Sequence, residues 1–277
     1  MNLKFKTPQF RDLELMHTEL SLGGSWTPQS CVPRHRVAVI IPFRDRQSHL
    51  RTLLTVLHPM LQRQLLQYTI FVVEQKEPAI FNRGSLMNVG FIEARSFADF
   101  DCFIFHDVDM LPEDDRNFYV CSSQPRHVSV QVNKFHYVLL YRTAFYGIAA
   151  IKPSQFERAN GFSNRFYGWG GEDDDMYRRI KAQKMTVVRF TSAVARYTMI
   201  RHKRDVGNPS NPHRTDGLRR NPRRYAVDGL NSLHYKLVAK ESRALYTWLL
   251  IALPPKPARH VPPSQPYGAT KFWRRFA

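Results

Sequence analysis

"VAVIIPFRDR" occupies residues 37–46. Its first six residues are mostly β-branched and uniformly apolar, the pattern of a strand buried on both faces of a parallel sheet. Charge begins abruptly at Arg44. Downstream, Leu50, Leu53, Leu54, Leu57, Leu61 and Leu65 recur at three- and four-residue steps, which predicts an amphipathic helix bent near Pro59. "YTIFVVE" (68–74) reads as a second buried strand, "RGSLMNVGFIEARSF" (83–97) as a second helix, and "CFIFHDVD" (102–109) as a third strand ending in acids. Strand, helix, strand, helix, strand is the order of an α/β sheet wound on both faces, whose ligands gather at the carboxyl ends of the strands.

Beyond residue 110 the pattern is less regular. "HVSVQV" (127–132), "FYGIAAIK" (145–152) and "TVVRF" (186–190) read as strands; "KPSQFERANGF" reads as a short helix closed by Gly161, and "EDDDMYRRIKAQK" as a helix of about three turns. Residues 201–224 carry eight Lys or Arg and read as a loop. The division expected is an irregular N-terminal segment over 1–36, a single catalytic unit over 37–253, and a Pro-rich basic tail over 254–277 without stable structure.

The 277 residues carry 41 Lys+Arg against 23 Asp+Glu, a net charge of +18. That excess favours polyanionic or phosphate-bearing partners without choosing among them. No cysteine spacing suits a zinc site, and three cysteines permit one disulfide or none. The longest apolar run, Leu245–Leu253, is too short to span a bilayer, and the N-terminus has no signal-peptide core.

The chemistry sits at the strand ends. Asp107 and Asp109 flank Val108, so in a strand both carboxylates would face one side. Like charges in a buried position need a cation, and a divalent ion with oxygen ligands is the natural remedy. Asp109 as a helix or turn cap is the bland alternative. Arg44 and Arg46 follow strand one and Arg83 follows strand two, which suits a diphosphate; simple solvation of the sheet edge also accounts for them. No glycine-rich phosphate loop is present. In "FYGWGGEDDDMYRRI" (166–180), acids in a first helical turn complement the helix dipole, but that explains only one or two of the four. Trp169 and Tyr167 offer flat faces for a sugar ring, and carboxylates accept its hydroxyl hydrogens. Met199 and His202 follow in "TMIRH", where His202 could join Asp109 around a metal or be purely structural.

Together "VAVIIPFRDR", "FNRGSLMNVGF", "FHDVDMLPEDD", "YGWGGEDDD", "MIRH" and "DGLNSLHY" resemble, in order and spacing, the animal β-1,4-galactosyltransferase family over roughly residues 23–253. The resemblance implies a GT-A type nucleotide-sugar transferase fold, with a mixed, mostly parallel twisted sheet flanked by helices, and Mn²⁺ as cofactor. It places Asp109, Met199 and His202 on the metal, and Pro42, Phe43, Arg44, Arg46, Phe81, Arg83, Asp107, Gly147 and Trp169 around the UDP-sugar donor. Glu172 and Asp173 match the catalytic acids, Asp173 as general base. Asp174, Gly170, Gly171, Tyr141 and Arg214 match acceptor positions. Cys102 and Cys121 match a family disulfide, whereas Cys31 has no upstream partner in this chain.

The reaction so implied is inverting transfer of galactose from UDP-galactose to the 4-hydroxyl of a terminal GlcNAc on a glycan. Ala144 aligns with the residue that gates the donor's C2 substituent, a position usually held by a bulky Tyr, so UDP-GalNAc is the second donor reading. Tyr146, replacing a usual Gly, would refill some of that space. Thr215 stands where an aromatic usually packs on the acceptor's acetyl group. The resemblance further implies a Golgi-lumenal enzyme of the secretory pathway, its membrane anchor absent from this chain, compatible with a homodimer and with no nucleic-acid partner. A polyanion-binding protein and a glycosidase are the rivals from other classes; the former leaves the acid cluster unexplained, and the metal and arginine set argues against the latter.

Overall fold

The computed structural model describes residues 8–203, 205–212, 214 and 222–256. Thr215 with the rest of 215–221, and the tail from 257 onward, lie outside the described residues. The strands are β1 (Ser25–Trp26), β2 (Arg36–Phe43), β3 (Gln67–Gln75), β4 (Cys102–His106), β5 (Met110–Pro112), β6 (Arg126–His127), β7 (Gln131–Val132), β8 (Ile148–Ile151), β9 (Arg196–Met199), β10 (Lys236–Ser242) and β11 (Thr247–Ala252). The α-helices are α1 (Phe10–Met16), α2 (Gln47–Arg63), α3 (Arg83–Phe97), α4 (Pro153–Arg158) and α5 (Glu172–Ala182).

Eight strands form the main sheet, in the order β10-β11-β3-β2-β4-β8-β6 with β1 also on β3. Its centre, β11, β3, β2 and β4, is parallel, while β10, β8, β6 and β1 pair antiparallel at the margins. A smaller sheet, β5-β9-β7, lies off the end of β4. This is the mixed α/β sheet expected.

Strand alternation separates the two core layers. Val37, Val39, Ile41 and Phe43 of β2 face the layer that contains Leu50, Leu53, Leu54, Leu57 and Leu61 of α2. Ala38 and Ile40 face Leu86, Met87 and Val89 of α3. Helix α3 lies close to the sheet because of Gly90: a Cβ there would stand 2.3 Å from Ile40 Cγ2. Each buried Leu or Ile contributes roughly 1.5–3 kcal/mol, so these layers dominate the stability.

Several elements differ from the expectation. Residues before 36 supply α1 and β1 rather than an irregular segment, and Leu13 is buried in the core. Helix α2 stops at Arg63, and Leu65, left-handed at φ 53°, is exposed. "HVSVQV" splits into β6 and β7, which belong to different sheets. "TVVRF" makes only an isolated bridge, Arg126 to Val188. The β10–β11 hairpin, with β11 parallel to β3, takes up the apolar run at 245–253.

Cys102 on β4 bonds to Cys121, closing the excursion that contains β5. A loop of that size restricts the unfolded chain by about 3 kcal/mol. Replacing both cysteines by alanine is therefore expected to lower stability by about that amount. Urea unfolding of the variant, monitored by tryptophan fluorescence, checks it; an unchanged midpoint would mean that the bridge contributes nothing.

Candidate active site

The parallel strands β2, β3 and β4 end side by side, and their carboxyl ends carry the polar residues. The third strand ends at His106, so Asp107 and Asp109 belong to the turn into β5 and not to a strand. The two carboxylates are thus not placed by strand alternation. Asp107 is placed instead by Arg83, the first residue of α3.

Arg83 is the centre of the cluster. Its Nε donates to Asp107 Oδ1 at 2.6 Å, one terminal nitrogen to Asp173 Oδ1 at 2.6 Å and to Glu172 Oε1 at 3.4 Å, and the other to the Gly147 carbonyl at 3.2 Å. Burial alone would lower the Arg83 pKa; Asp107, Asp173 and Glu172 outweigh it and raise it. Burial pushes the Asp173 carboxyl well up, partly opposed by Arg83 and reinforced by Glu172 and Asp107. Glu172 is raised by burial against the same pull of Arg83, and its Oε2 is buried without a hydrogen-bond partner among the described residues.

The four acids of α5 fan out as helical geometry requires, about 100° apart. Glu172 and Asp173 meet Arg83; Asp174 accepts from Tyr141 Oη at 2.8 Å. Asp175 turns inward, where it accepts from Arg179 at 2.6 Å and Arg224 at 2.5 Å. Asp228 joins the same buried group through Arg179 and accepts from Ser163 Oγ at 2.6 Å. Asp228 and Arg224 face each other at 3.6 Å four residues apart, but their partners on α5 lie about fifty residues away. The helix starts at Gly171, at φ +102°, where a Cβ would meet the Phe166 ring at 2.6 Å.

The second cluster is Asp109 with His202, whose Nε2 lies 3.2 Å from Asp109 Oδ2. Burial, then the neighbouring Asp107, pushes the Asp109 carboxyl up to about 6, with His202 opposing. Met199 ends β9 opposite Met110, and the Ile200 amide donates to the Asp109 carbonyl at 2.8 Å, so the backbone of Met199 runs beside that of Asp109. A buried carboxylate, an imidazole and a thioether suit a divalent transition ion, and the excess of carboxylates over Arg83 supplies the field for it. Among the described residues no group of three His, Cys, Asp or Glu could by itself hold a metal ion. His49, which sequence reasoning did not single out, packs its ring 5.6 Å from that of His202.

The remaining donor positions surround these clusters. Pro42 and Phe43 are buried at the end of β2, Phe43 within the core. Arg44 donates to the Ala79 carbonyl at 2.7 Å and lies over the Phe81 ring at 5.1 Å; its second terminal nitrogen is buried without a hydrogen-bond partner among the described residues. Arg46 faces Asp205 at 3.8 Å. Gly207 and Pro209 bring the loop after His202 onto Phe81 and Trp169 through backbone bonds of 3.1 and 2.8 Å. Trp169 remains 58% exposed, with Arg214 5.6 Å from its ring, and Gly170 lies beside Arg214. Ala144, by contrast, is completely enclosed and faces no open cleft. The Tyr146 ring packs edge-on against His127 and Phe135.

Residues 1–122 match the family described as the N-terminal region of glycosyl transferase group 7, and residues 126–203 match the N-terminal domain of galactosyltransferase. Beta-1,4-galactosyltransferase 1 of Mus musculus is 46% identical over 243 residues, covering 87% of this chain and 61% of its own length. Beta-1,4-galactosyltransferase 3 of Rattus norvegicus is 43% identical over 272 residues, covering 97% and 69%. This chain belongs to the β-1,4-galactosyltransferase family. It spans about two thirds of the length of these curated relatives. The catalytic domain of Drosophila beta1,4galactosyltransferase 7 with xylobiose superposes with a TM-score of 0.67 at 30% identity, covering 79% of this chain and 94% of that one. A mutant of the same Drosophila enzyme, in complex with manganese, UDP-Gal and xylobiose, matches equally well. The fold is therefore the GT-A galactosyltransferase fold of these neighbours.

In this member of the family, Arg83→Met would strand three carboxylates around a buried site. Stability is expected to fall by about 3–5 kcal/mol at pH 7.5. Because Glu172 and Asp173 are raised, they take up protons as the pH falls, so the loss shrinks at pH 5. Urea unfolding at the two pH values measures it; equal losses at both would contradict the charge assignment.

Proposed function

We propose that this chain is the catalytic part of an inverting, Mn²⁺-dependent transferase that moves galactose from UDP-galactose to the 4-hydroxyl of a terminal GlcNAc. One observation carries the reading: Asp107 and Asp173 share the Arg83 guanidinium, and Asp107 is two residues from Asp109 and its partner His202. That chain of contacts supports a reading in which the metal end and the base act on one substrate pair.

Asp109, Met199 and His202 would hold the ion. Mn²⁺, when bound, supplies Lewis-acid stabilisation of the charge that develops on the departing UDP. Arg44, whose guanidinium lies over Phe81 and whose unpartnered nitrogen is covered by Gly207, is assigned to the phosphate oxygens in this reading. Arg46 and Arg83 add positive charge at the same strand ends. Asp173 accepts the proton of the acceptor hydroxyl, for which its raised affinity for protons suits it. The oxygen so activated forms the new bond to the anomeric carbon on the face opposite the leaving group, converting an α-linked donor into a β-linked product. Glu172 Oε2 and the Tyr141–Asp174 pair offer acceptors and donors for sugar hydroxyls, and Trp169 an exposed ring face.

A second reading, transfer of GalNAc, rests on Ala144, whose single methyl replaces a bulky gate. Enclosure of Ala144 limits the room it offers, so galactose stays first. The domain division, a homodimer, a separate membrane anchor and residence in the Golgi lumen belong to the same reading. The disulfide supports an oxidising compartment. No helix among the described residues is long and apolar enough to cross a membrane.

Calorimetric titration with UDP-galactose and UDP-GalNAc, with and without Mn²⁺, tests the assignment. Asp109→Asn is expected to abolish metal-dependent donor binding. Asp173→Asn should keep donor binding within a few-fold and reduce turnover at least about 10³-fold. In competition between the two sugars, Ala144→Tyr should lower any use of GalNAc. Retained turnover in Asp173→Asn would remove Asp173 from the reaction.

A further inference from the structure

A chain of four buried polar side chains runs behind the candidate metal end. His106, Asn117, Tyr119 and Tyr197 are all completely enclosed. His106 ends β4, Asn117 and Tyr119 lie on the excursion closed by the Cys102–Cys121 bridge, and Tyr197 lies on β9. His106 Nδ1 stands 2.8 Å from the Asp107 carbonyl, and its Nε2 stands 2.9 Å from Tyr119 Oη. Tyr119 Oη is 3.0 Å from Tyr197 Oη. The Asn117 side-chain nitrogen reaches both Tyr197 Oη, at 3.1 Å, and the Val128 carbonyl, at 3.3 Å.

The carbonyls at the two ends fix every hydrogen in between. A carbonyl can only accept, so His106 Nδ1 carries a hydrogen toward Asp107, and the Asn117 atom facing Val128 is its nitrogen. Burial pushes the His106 imidazole down to about 4, so the ring is neutral near pH 7 and Nε2 is a bare acceptor. Tyr119 then donates to Nε2, its oxygen accepts from the Tyr197 hydroxyl, and the Tyr197 oxygen accepts from Asn117. No member can be reversed without setting two donors or two acceptors against each other. The chain ends on amide groups, which neither store nor release a proton at this pH, so it holds positions and carries no protons.

Its members bracket the candidate metal ligands. The Asp107 carbonyl belongs to the turn that carries Asp109. Tyr197 precedes Met199 by two residues on β9, so both side chains lie on one face of that strand. β9 pairs with β5 through Tyr197 opposite Pro112 and Met199 opposite Met110. The frame is tied down further: the Tyr119 amide donates to Gln64 Oε1 at 3.0 Å, and the Met199 amide to Asn133 Oδ1 at 2.9 Å.

We propose that His106, Asn117, Tyr119 and Tyr197 are positioning residues that set the turn of Asp109 against the strand of Met199 at the spacing a divalent ion requires. The inference rests on the proposed assignment of Asp109, Met199 and His202 to the metal; the hydrogen-bond order does not. The four act through the Asp107 backbone and the face of β9. Loss of such supporting groups typically weakens metal binding by about 10–100-fold.

The test is titration of Mn²⁺ into the whole chain with the free ion read by electron paramagnetic resonance, which measures binding without turnover. Tyr119→Phe keeps the ring and removes the hydroxyl that both neighbours use; it should weaken Mn²⁺ binding about tenfold or more. Tyr197→Phe leaves the Tyr119–His106 bond in place and should weaken it less. Ile70→Val removes one methyl from β3 in the same core layer and should leave binding unchanged, which separates positioning from a general loss of packing. In transfer assays the two tyrosine variants should need more Mn²⁺ for half-maximal rate and recover kcat when Mn²⁺ is saturating. Nitrogen-15 NMR of the unmodified chain should find the His106 hydrogen on Nδ1. Tyrosine variants that bind Mn²⁺ as tightly as the unmodified chain, or a His106 hydrogen on Nε2, would overturn this inference alone. An unmodified chain that binds no Mn²⁺ would refute the metal assignment of the proposed function, and the inference with it.

Discussion

The Arg83 guanidinium bonds at once to the turn after β4, to the first residues of α5 and to the carbonyl of Gly147 ahead of β8. Three segments distant in sequence meet at one planar cation because a guanidinium offers five donors in a fixed fork and a buried carboxylate must find one. The arrangement is over-supplied with acids. Asp107, Glu172 and Asp173 share one positive charge, and burial, reinforced by the nearby Asp107, pushes the Asp109 carboxyl up to about 6. A chain with a net charge of +18 therefore holds a negative focus at the end of its parallel strands. That focus is where a cation would bind and where a base can hold a proton at moderate pH.

The rest of the fold fixes Arg83 and its partners. The Arg83 side chain begins at the N-terminus of α3, which Asn82 caps by accepting from the Ser85 amide at 3.0 Å and Gly90 holds against β2. Gln75, itself buried, accepts from the Asn82 amide and donates to the carbonyls of Ala79 and Ile80, so the loop from β3 to α3 has little freedom. On the other side, the buried set of Asp175, Arg179, Arg224 and Asp228 ties α5 to the segment near residue 228. Breaking such a set by removing one member leaves an uncompensated buried charge, a larger penalty than any surface pair could offset.

The first half of the chain was legible because its strands are continuous apolar runs and its helices carry leucines at helical spacing; α3 even has the expected bounds. The stretch from β6 to β9 was not, because its strands are two to four residues long and form through pairing with distant partners, which no local pattern encodes. The same distinction holds at the site. The acids and arginines were recognisable as residue types at strand ends, and their order resembled a family. Their grouping around Arg83 was not readable, nor were Arg224 and His49, which meet the site only in three dimensions; Asp228 stood only as the first residue of "DGLNSLHY", with no role assigned. Asp107 and Asp109 were assigned to a strand face, yet they sit in a turn: β4 stops at His106, whose ring bonds to the Asp107 carbonyl at 2.8 Å and to Tyr119 Oη at 2.9 Å.

A crystal of the chain grown with Mn²⁺ and UDP, with diffraction recorded at the manganese absorption edge, tests the central arrangement most directly. The account predicts an anomalous peak bonded to Asp109 and His202, in the same cleft as Asp173, with Arg83 still bridging Asp107 and Asp173 or handing one of them to the nucleotide. A peak bonded to other residues, or Asp173 turned into a separate cavity, would contradict it.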